Sequence, residues 1–123
     1  MPCPWTEDNY IEALNSEHVI FAVAEADGGV VGFGLLYLSI PEAELPDIVV
    51  DGGFQGKGVG RKLLAYMLEE ADKAGVTDVF LEVRQSNERA HGLYLSMGFE
   101  EIGIRKNFYN NPVEHAICMC KRS

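Results

Sequence analysis

Short apolar runs separated by turn residues fill the first half of the chain. Residues 18–25 and 30–39 are rich in apolar and β-branched side chains, and Asp27-Gly28-Gly29 lies between them. Two such runs on either side of an Asp-Gly turn predict a β-hairpin. The next run, 44–50, predicts a third strand, in which Pro46 has no N–H to donate and is expected at a bulge, an edge or the start of the strand.

A helical period replaces this pattern after residue 60. Apolar residues between 61 and 74 fall on one face of a helix with charges opposite, and Gly75 is the expected stop. Residues 87–97 predict a second helix, ended by Gly98. A short helix capped by Thr6 is predicted for residues 5–14. The remaining extended segments are 76–83, 99–109 and 114–121.

These elements predict a single α/β domain over residues 1–123, built on a mixed and mostly antiparallel sheet. The strand at 44–50, the helix after it and the strand at 76–83 form a βαβ unit, whose two strands are expected to be parallel with a right-handed crossover. The flanking hairpins are expected to be antiparallel.

The charge balance narrows the choice of partners. The 123 residues include 10 Lys and Arg against 19 Asp and Glu, a formal net charge of −9. This charge argues against nucleic acid or an anionic membrane as a partner and allows a basic ligand. Three cysteines without CxxC spacing, scattered histidines and the lack of a targeting or membrane-spanning segment lead us to expect a cytoplasmic protein with no metal site.

A glycine-dense segment, 51–60, joins the third strand to the next helix. Glycines let the backbone approach a ligand closely, and free N–H groups at a helix start bind anions. The segment is not a Walker loop, because no Gly-Lys-Ser/Thr follows, and it lacks the spacing of the dinucleotide fingerprint. Taken alone, it is equally consistent with ordinary turn chemistry.

The order of motifs resembles that of a known family. Gln55-x-x-Gly58-x-Gly60 resembles the Q/R-x-x-G-x-G/A pyrophosphate loop of the GNAT acyltransferases, and among these the chain is most similar to the bacterial ribosomal-protein-alanine N-acetyltransferases (RimI type). The further segments that carry the resemblance are Pro4-Trp5, Ile48-Val49-Val50-Asp51, Leu81-Glu82-Val83-Arg84-x-Ser86-Asn87, Leu93-Tyr94-x-x-Met97-Gly98-Phe99 and Arg105-Lys106-Asn107-Phe108-Tyr109.

This resemblance implies the GNAT fold and direct acetyl transfer from acetyl-CoA to a primary amine in a ternary complex. It assigns Glu82 as the base that accepts the amine proton and Tyr94 as the donor to the leaving thiolate. An exposed strand glutamate and an aromatic residue packed on the sheet are the alternative interpretations. Asn87 matches an amide that contacts CoA and also suits a helix N-cap.

The resemblance also implies two sets of binding residues. Basic charge at Lys57 and Arg61 is equally consistent with a solvated pair. The acceptor is expected to be the N-terminal alanine of a basic small-subunit ribosomal protein, held by Asn107 and Tyr109. Residues expected to contact the cofactor are Ile48, Val49, Val50, Gln55, Gly56, Lys57, Gly58, Val59, Gly60, Arg61 and Asn87. A GNAT enzyme acting on a lysine or a small-molecule amine, and a truncated acetyl-CoA-binding module without turnover, remain open.

The chain departs from the family at its start. GNAT proteins usually have a strand and a helix before the segment that matches Pro4-Trp5, and here Met1 almost adjoins that segment. Residues 19–23 are therefore expected to form an unprotected apolar edge strand, beside an uncovered apolar patch on the sheet. Either a homodimer fills the gap or the chain is a shortened form of a longer product.

Overall fold

One mixed sheet carries two α-helices in the residues that the computed structural model describes, 10–26 and 28–122. A 3-10 turn at Gly52–Phe54 precedes the first helix. The strands are β1 (Tyr10–Asn15), β2 (Val19–Ala26), β3 (Gly29–Ser39), β4 (Glu42–Leu45), β5 (Ile48–Val50), β6 (Asp78–Arg84), β7 (Glu100–Tyr109) and β8 (Glu114–Arg122). The helices are α1 (Val59–Ala74) and α2 (Glu88–Ser96).

The sheet runs in the order β1-β2-β3-β4-β6-β8-β7, and β5 pairs with β3 beside this path. Neighbouring strands are antiparallel except for β4 and β6, which are parallel from Glu42 opposite Asp78 to Leu45 opposite Leu81. The predicted mixed, mostly antiparallel sheet around a parallel βαβ unit is confirmed.

Both helices pack on one face of the sheet. Strand β2 turns alternate residues toward them, and the buried face of α1 lies over β2 and β3. Gly32 and Gly34 on β3 allow this approach, because a Cβ at Gly34 would lie 2.5 Å from the Met67 Cε. On the opposite face Phe33 and Tyr37 remain exposed, which agrees with the expected apolar patch.

The predicted turn signals of the central elements are confirmed. The strands β2 and β3 are antiparallel as predicted, although Asp27 of the predicted turn lies outside the described residues. Gly75 ends α1 with a φ of +99°, a conformation that favours glycine. Asn87 caps α2, its side chain accepting a hydrogen bond from the Ala90 N–H at 3.2 Å.

The chain before β2 differs from the prediction. Tyr10–Asn15 is a strand antiparallel to β2, so a helix reaching residue 14 is wrong, while Thr6 lies outside the described residues. Interstrand hydrogen bonds outweigh a helical spacing only a few residues long. Because β1 covers the edge of β2, the expectation of an unpaired strand there is also wrong, and the reason for a homodimer at that edge is removed.

The predicted strand 44–50 is two strands. Strand β4 pairs on both sides, with β3 and β6, whereas β5 pairs only with β3 among the described strands. Pro46 and Asp47 lie between them, where the missing N–H of proline breaks no ladder. The sheet therefore opens between β5 and β6, at the point where the glycine-rich segment begins.

Candidate active site

The glycine-rich segment makes a compact bend between β5 and α1. Gly56 and Gly58 have φ values of +76° and +86°, so residues with side chains are strained at both positions. The Gln55 side chain donates to the Val50 carbonyl at 3.1 Å and accepts from Arg89 on α2 at 3.3 Å. The bend is thereby tied both to the strand before it and to the second helix.

The backbone N–H groups at the start of α1 receive no side-chain cap and face no acidic residue in the first turn. The N-cap residue of this helix is Gly58. The first backbone N–H groups of a helix have no partner within that helix, and the helix dipole places positive charge there. The arrangement suits an anion such as a phosphate.

A cavity of about 460 Å³ lies between this helix start, β5 and α2; we term it the helix-side cavity. Of the residues predicted to contact a cofactor, Val49 and Lys57 are not among those that line it. The predicted residues that do line it are Ile48, Val50, Gln55, Gly56, Gly58, Val59, Gly60, Arg61 and Asn87, together with Tyr94. The lining residues that were not among the predicted site residues are Asp47, Phe54, Arg89, Ala90 and Leu93, of which Ala90 lies one helical turn from both Asn87 and Tyr94.

The two basic residues have partners within the protein. The Arg61 guanidinium donates to the Ser96 Oγ at 2.7 Å and contacts the Met97 Sδ at 3.2 Å, so it ties α1 to the end of α2. The Lys57 Nζ lies 5.4 Å from the centre of the Phe54 ring. Because both basic side chains are engaged within the protein, the backbone N–H groups of the loop are its main anion-binding feature.

Tyr94 is the buried polar group of the helix-side cavity. Its side chain is only 5% exposed, and its ring lies 5.7 Å from that of Phe99. Burial raises the pKa of Tyr94 to about 12, with the nearby Asp47 carboxylate and Tyr109 phenol adding to the shift. The phenol is therefore protonated throughout the neutral range and available as a hydrogen-bond donor.

Glu82 faces the other side of the sheet. Along β6 alternate residues point under the helices, and Glu82 lies between the buried Leu81 and Val83. It borders a second cavity of about 550 Å³, which we term the open-face cavity, and its carboxylate is 3.8 Å from the Arg105 guanidinium. The other side chains around that cavity include Tyr37, Glu42, Glu44, Phe80 and Phe108.

Tyr109 is influenced by a charged group from each cavity, Glu82 of the open-face cavity and Asp47 of the helix-side cavity. Burial raises its pKa, and the charges of Glu82 and Asp47 act in the same direction while Arg84 opposes them. Asp47 acts on both Tyr94 and Tyr109, and Glu82 acts on Tyr109, so electrostatic interactions link the four groups. The structure places Glu82 and Tyr94 on opposite faces of the sheet.

Asn107 lies at an irregular point of the β7–β8 pairing, where its backbone makes the contact that the structure shows. Its φ is +54°, and its N–H donates to the Nδ1 of His115 at 3.0 Å, where the register of β7 and β8 shifts. Neither Asn107 nor Tyr109 lines the helix-side or the open-face cavity. The described residues contain no group of three or more potential metal ligands, and none of their helices has the length and apolarity to cross a membrane.

The chain is similar to known acetyltransferases. Residues 1–99 match the acetyltransferase (GNAT) family. The ribosomal protein bS18-alanine N-acetyltransferase of Escherichia coli strain K12 is 37% identical over 106 residues, which cover 86% of this chain and 71% of that protein. The crystal structure of the ribosomal-protein-S18-alanine N-acetyltransferase from Escherichia coli matches with a TM-score of 0.85 and 30% identity over 93% of each chain. A GNAT family acetyltransferase from Elizabethkingia anophelis, solved with acetyl-CoA bound, shares the fold with a TM-score of 0.82 and 18% identity, over 96% of this chain and 100% of that one.

Proposed function

The chain belongs to the GNAT acetyltransferase family, and from that premise we propose that it acetylates the N-terminal alanine of a basic ribosomal protein in the cytoplasm. It is an N-acetyltransferase that uses acetyl-CoA. The names of its relatives support the alanine and ribosomal part of the proposal.

The division of the site by the sheet is the observation that carries this proposal. An anion-binding helix start and a buried phenol, Tyr94, lie on the helix side. A carboxylate, Glu82, borders a separate cavity on the open face. Acetyl transfer brings together an anionic thioester and a cationic acceptor, and the two cavities offer an environment suited to each.

The helix-side cavity suits the thioester substrate. The pyrophosphate of acetyl-CoA fits the free N–H groups at the start of α1, and Gly56 and Gly58 keep side chains away from it. Strand β5 pairs only with β3 among the described strands, so its other edge has backbone groups to offer the pantetheine arm. Asn87 lines the same cavity while it caps α2, so both of its predicted roles are compatible.

The open-face cavity suits a basic acceptor. Glu42, Glu44 and Glu82 border it against a single basic residue, Arg105. A chain of net charge −9 attracts cations, and a local cluster of carboxylates retains them. Aromatic side chains around the cavity, such as Phe80 and Phe108, add apolar contact for a peptide.

The proposed chemistry begins with a proton transfer. An α-amine has a pKa of about 8, so it arrives mostly as ammonium near neutral pH. Glu82 accepts one proton, and the neutral nitrogen attacks the acetyl carbonyl carbon as the C–S bond breaks. The Tyr94 hydroxyl donates a hydrogen bond to the departing sulfur. The second nitrogen proton passes to the thiolate to give free CoA, and Glu82 returns its proton to solvent.

The acceptor is tested with two basic peptides that differ only at the N-terminus. Each begins with alanine, one free and one blocked, and acetylation is followed by mass spectrometry. We expect acetylation of the free peptide alone, because the blocked one has no α-amine. Acetylation of both peptides would indicate a lysine acceptor, and acetylation of neither would leave an acetyl-CoA-binding module without turnover; either result would contradict the proposal.

Replacement of Tyr109 tests the acceptor side. Tyr109→Ala removes a half-buried phenol on which the Glu82 charge acts, and we expect the acceptor KM to rise about tenfold, since a buried aromatic anchor contributes about 1–2 kcal/mol. Tyr109→Phe separates the hydroxyl from the ring. Steady-state kinetics with the free peptide measure both variants. An acceptor KM unchanged in both would remove Tyr109 from the proposed acceptor site.

A further inference from the structure

The Arg84 side chain joins the strand that carries Glu82 to the turn that follows Tyr109. Its Nη2 donates to the Asn110 carbonyl at 3.2 Å, and its Nη1 to the Pro112 carbonyl at 3.4 Å. Its guanidinium also lies 4.4 Å from the centre of the Tyr109 ring. One planar cation thus holds both the ring and the turn, as its fixed fork of donors allows.

Glu114 extends this network to the second helix. One carboxylate oxygen is 3.3 Å from the Arg84 Nη1, and the other accepts a hydrogen bond from the Ser86 N–H. These contacts lower the pKa of Glu114, the Ser86 hydrogen bond most of all. Ser86 adjoins Asn87, the cap of the helix that carries Tyr94, and the Asn87 N–H in turn donates to the Arg84 carbonyl at 2.9 Å.

We propose that Arg84 and Glu114 are positioning residues, which hold Tyr109 beside Glu82 and fix the start of the helix that bears Tyr94. The inference rests on the proposed function, because it concerns the geometry of that same site. The pair is partly buried, with 35% of the Arg84 side chain and 15% of the Glu114 side chain exposed, so it is shielded from water more than the other arginine–carboxylate pairs described.

The position of the network predicts which kinetic constant it controls. Arg84 lies two residues from Glu82 on the same face of β6, touches Tyr109 and the turn at 110–112, and does not line the helix-side cavity. Loss of Arg84 frees the Tyr109 ring, since three of the contacts that fix that region disappear together. Acceptor binding is then impaired, while binding of acetyl-CoA is retained because the hydrogen bond from the Ser86 N–H to Glu114 still holds the start of α2.

The test compares Arg84→Gln with Arg122→Gln. Arg122 forms an ion pair with Asp78 across the same two strands at their other end, so it controls for the loss of a β6–β8 pair. We expect Arg84→Gln to raise the acceptor KM about tenfold, as a displaced binding group does, and to leave the acetyl-CoA KM within about twofold. Arg122→Gln is expected to leave both constants unchanged.

A double variant distinguishes positioning from general structural support. In a Tyr109→Ala background, Arg84→Gln is expected to add less than about twofold to the acceptor KM, because its effect passes through Tyr109. A full tenfold increment in that background, or equal rises of both KM values, would overturn the inference. Absence of turnover by the unmodified protein would overturn the proposed function instead. In that case amide hydrogen exchange of residues 109–113 tests the inference. We expect exchange to be faster in Arg84→Gln and unchanged in Arg122→Gln, and an unchanged rate in Arg84→Gln would overturn the inference.

Discussion

Glu82→Gln is expected to lower kcat about 100-fold or more at neutral pH, with little change in the KM for acetyl-CoA. Glutamine keeps the shape of the side chain but accepts no proton, and a positioned general base contributes about 10²–10⁴ to the rate. Because Glu82 borders the open-face cavity and not the helix-side cavity, the substitution leaves the proposed cofactor site unchanged. Steady-state kinetics in which the concentrations of both substrates are varied measure kcat and the KM for acetyl-CoA separately.

The loss in Glu82→Gln is expected to shrink as the pH rises. Without a base, the variant depends on acceptor molecules that have already lost their proton. For an amine with a pKa of about 8, this fraction rises from about one tenth at pH 7 to about nine tenths at pH 9. The ratio of wild-type to variant kcat should therefore fall by up to about tenfold over that interval, as rate measurements along a pH series would show.

Asp78→Asn is the matched control for Glu82→Gln. Asp78 lies on the same strand, its side chain is 29% exposed like that of Glu82, and an arginine is 3.8 Å away in both cases. It borders neither the helix-side nor the open-face cavity, so the control variant should keep the wild-type kcat. A kcat for Glu82→Gln that equals that of Asp78→Asn would show that Glu82 is an ordinary strand glutamate.

Local patterns in the sequence predict the elements whose cause is local. Apolar residues recur at helical spacing along the 16 residues of α1, and Gly75 ends the helix, so the sequence alone predicts both the helix and its end. The segment at Tyr10–Asn15 is different. Its six residues are too few to separate a helical from an extended spacing, and pairing with β2 decides the outcome. The sequence alone leaves three positions for Pro46, namely a bulge, an edge or the start of a strand, because a proline does not determine which edge of a strand remains paired.

The candidate site also has features that neighbouring residues determine and features that only the whole fold determines. The glycine positions and the Asn87 cap follow from neighbouring residues, and the family motifs point to Glu82 and Tyr94. Their placement on two sides of the sheet depends on where β5 separates from β6, which is a property of the whole sheet. The Arg84 network joins residues 26 to 30 positions apart, and no spacing rule along the chain relates them.

Tyr94→Phe is expected to lower kcat about 10–100-fold and to leave the KM for acetyl-CoA nearly unchanged, because the lost hydrogen bond forms mainly as the sulfur gains charge. With a pKa of about 12, the phenol is a poor full proton donor to a thiolate whose acid has a pKa of about 8.5: transfer is uphill by about 5 kcal/mol. In the proposed mechanism Tyr94 is therefore a hydrogen-bond donor and does not transfer its proton.

The pH dependence distinguishes this role from that of Glu82. A group with a pKa of about 12 stays protonated from pH 6 to pH 9, so the ratio of wild-type to Tyr94→Phe kcat should remain constant across that range, whereas the Glu82→Gln ratio falls. Tyr66→Phe is the control, since Tyr66 packs on the core from α1 and borders neither the helix-side nor the open-face cavity. A Tyr94→Phe ratio that changes with pH would mean that the phenol exchanges its proton during turnover, and a large rise in the KM for acetyl-CoA would assign Tyr94 to cofactor binding.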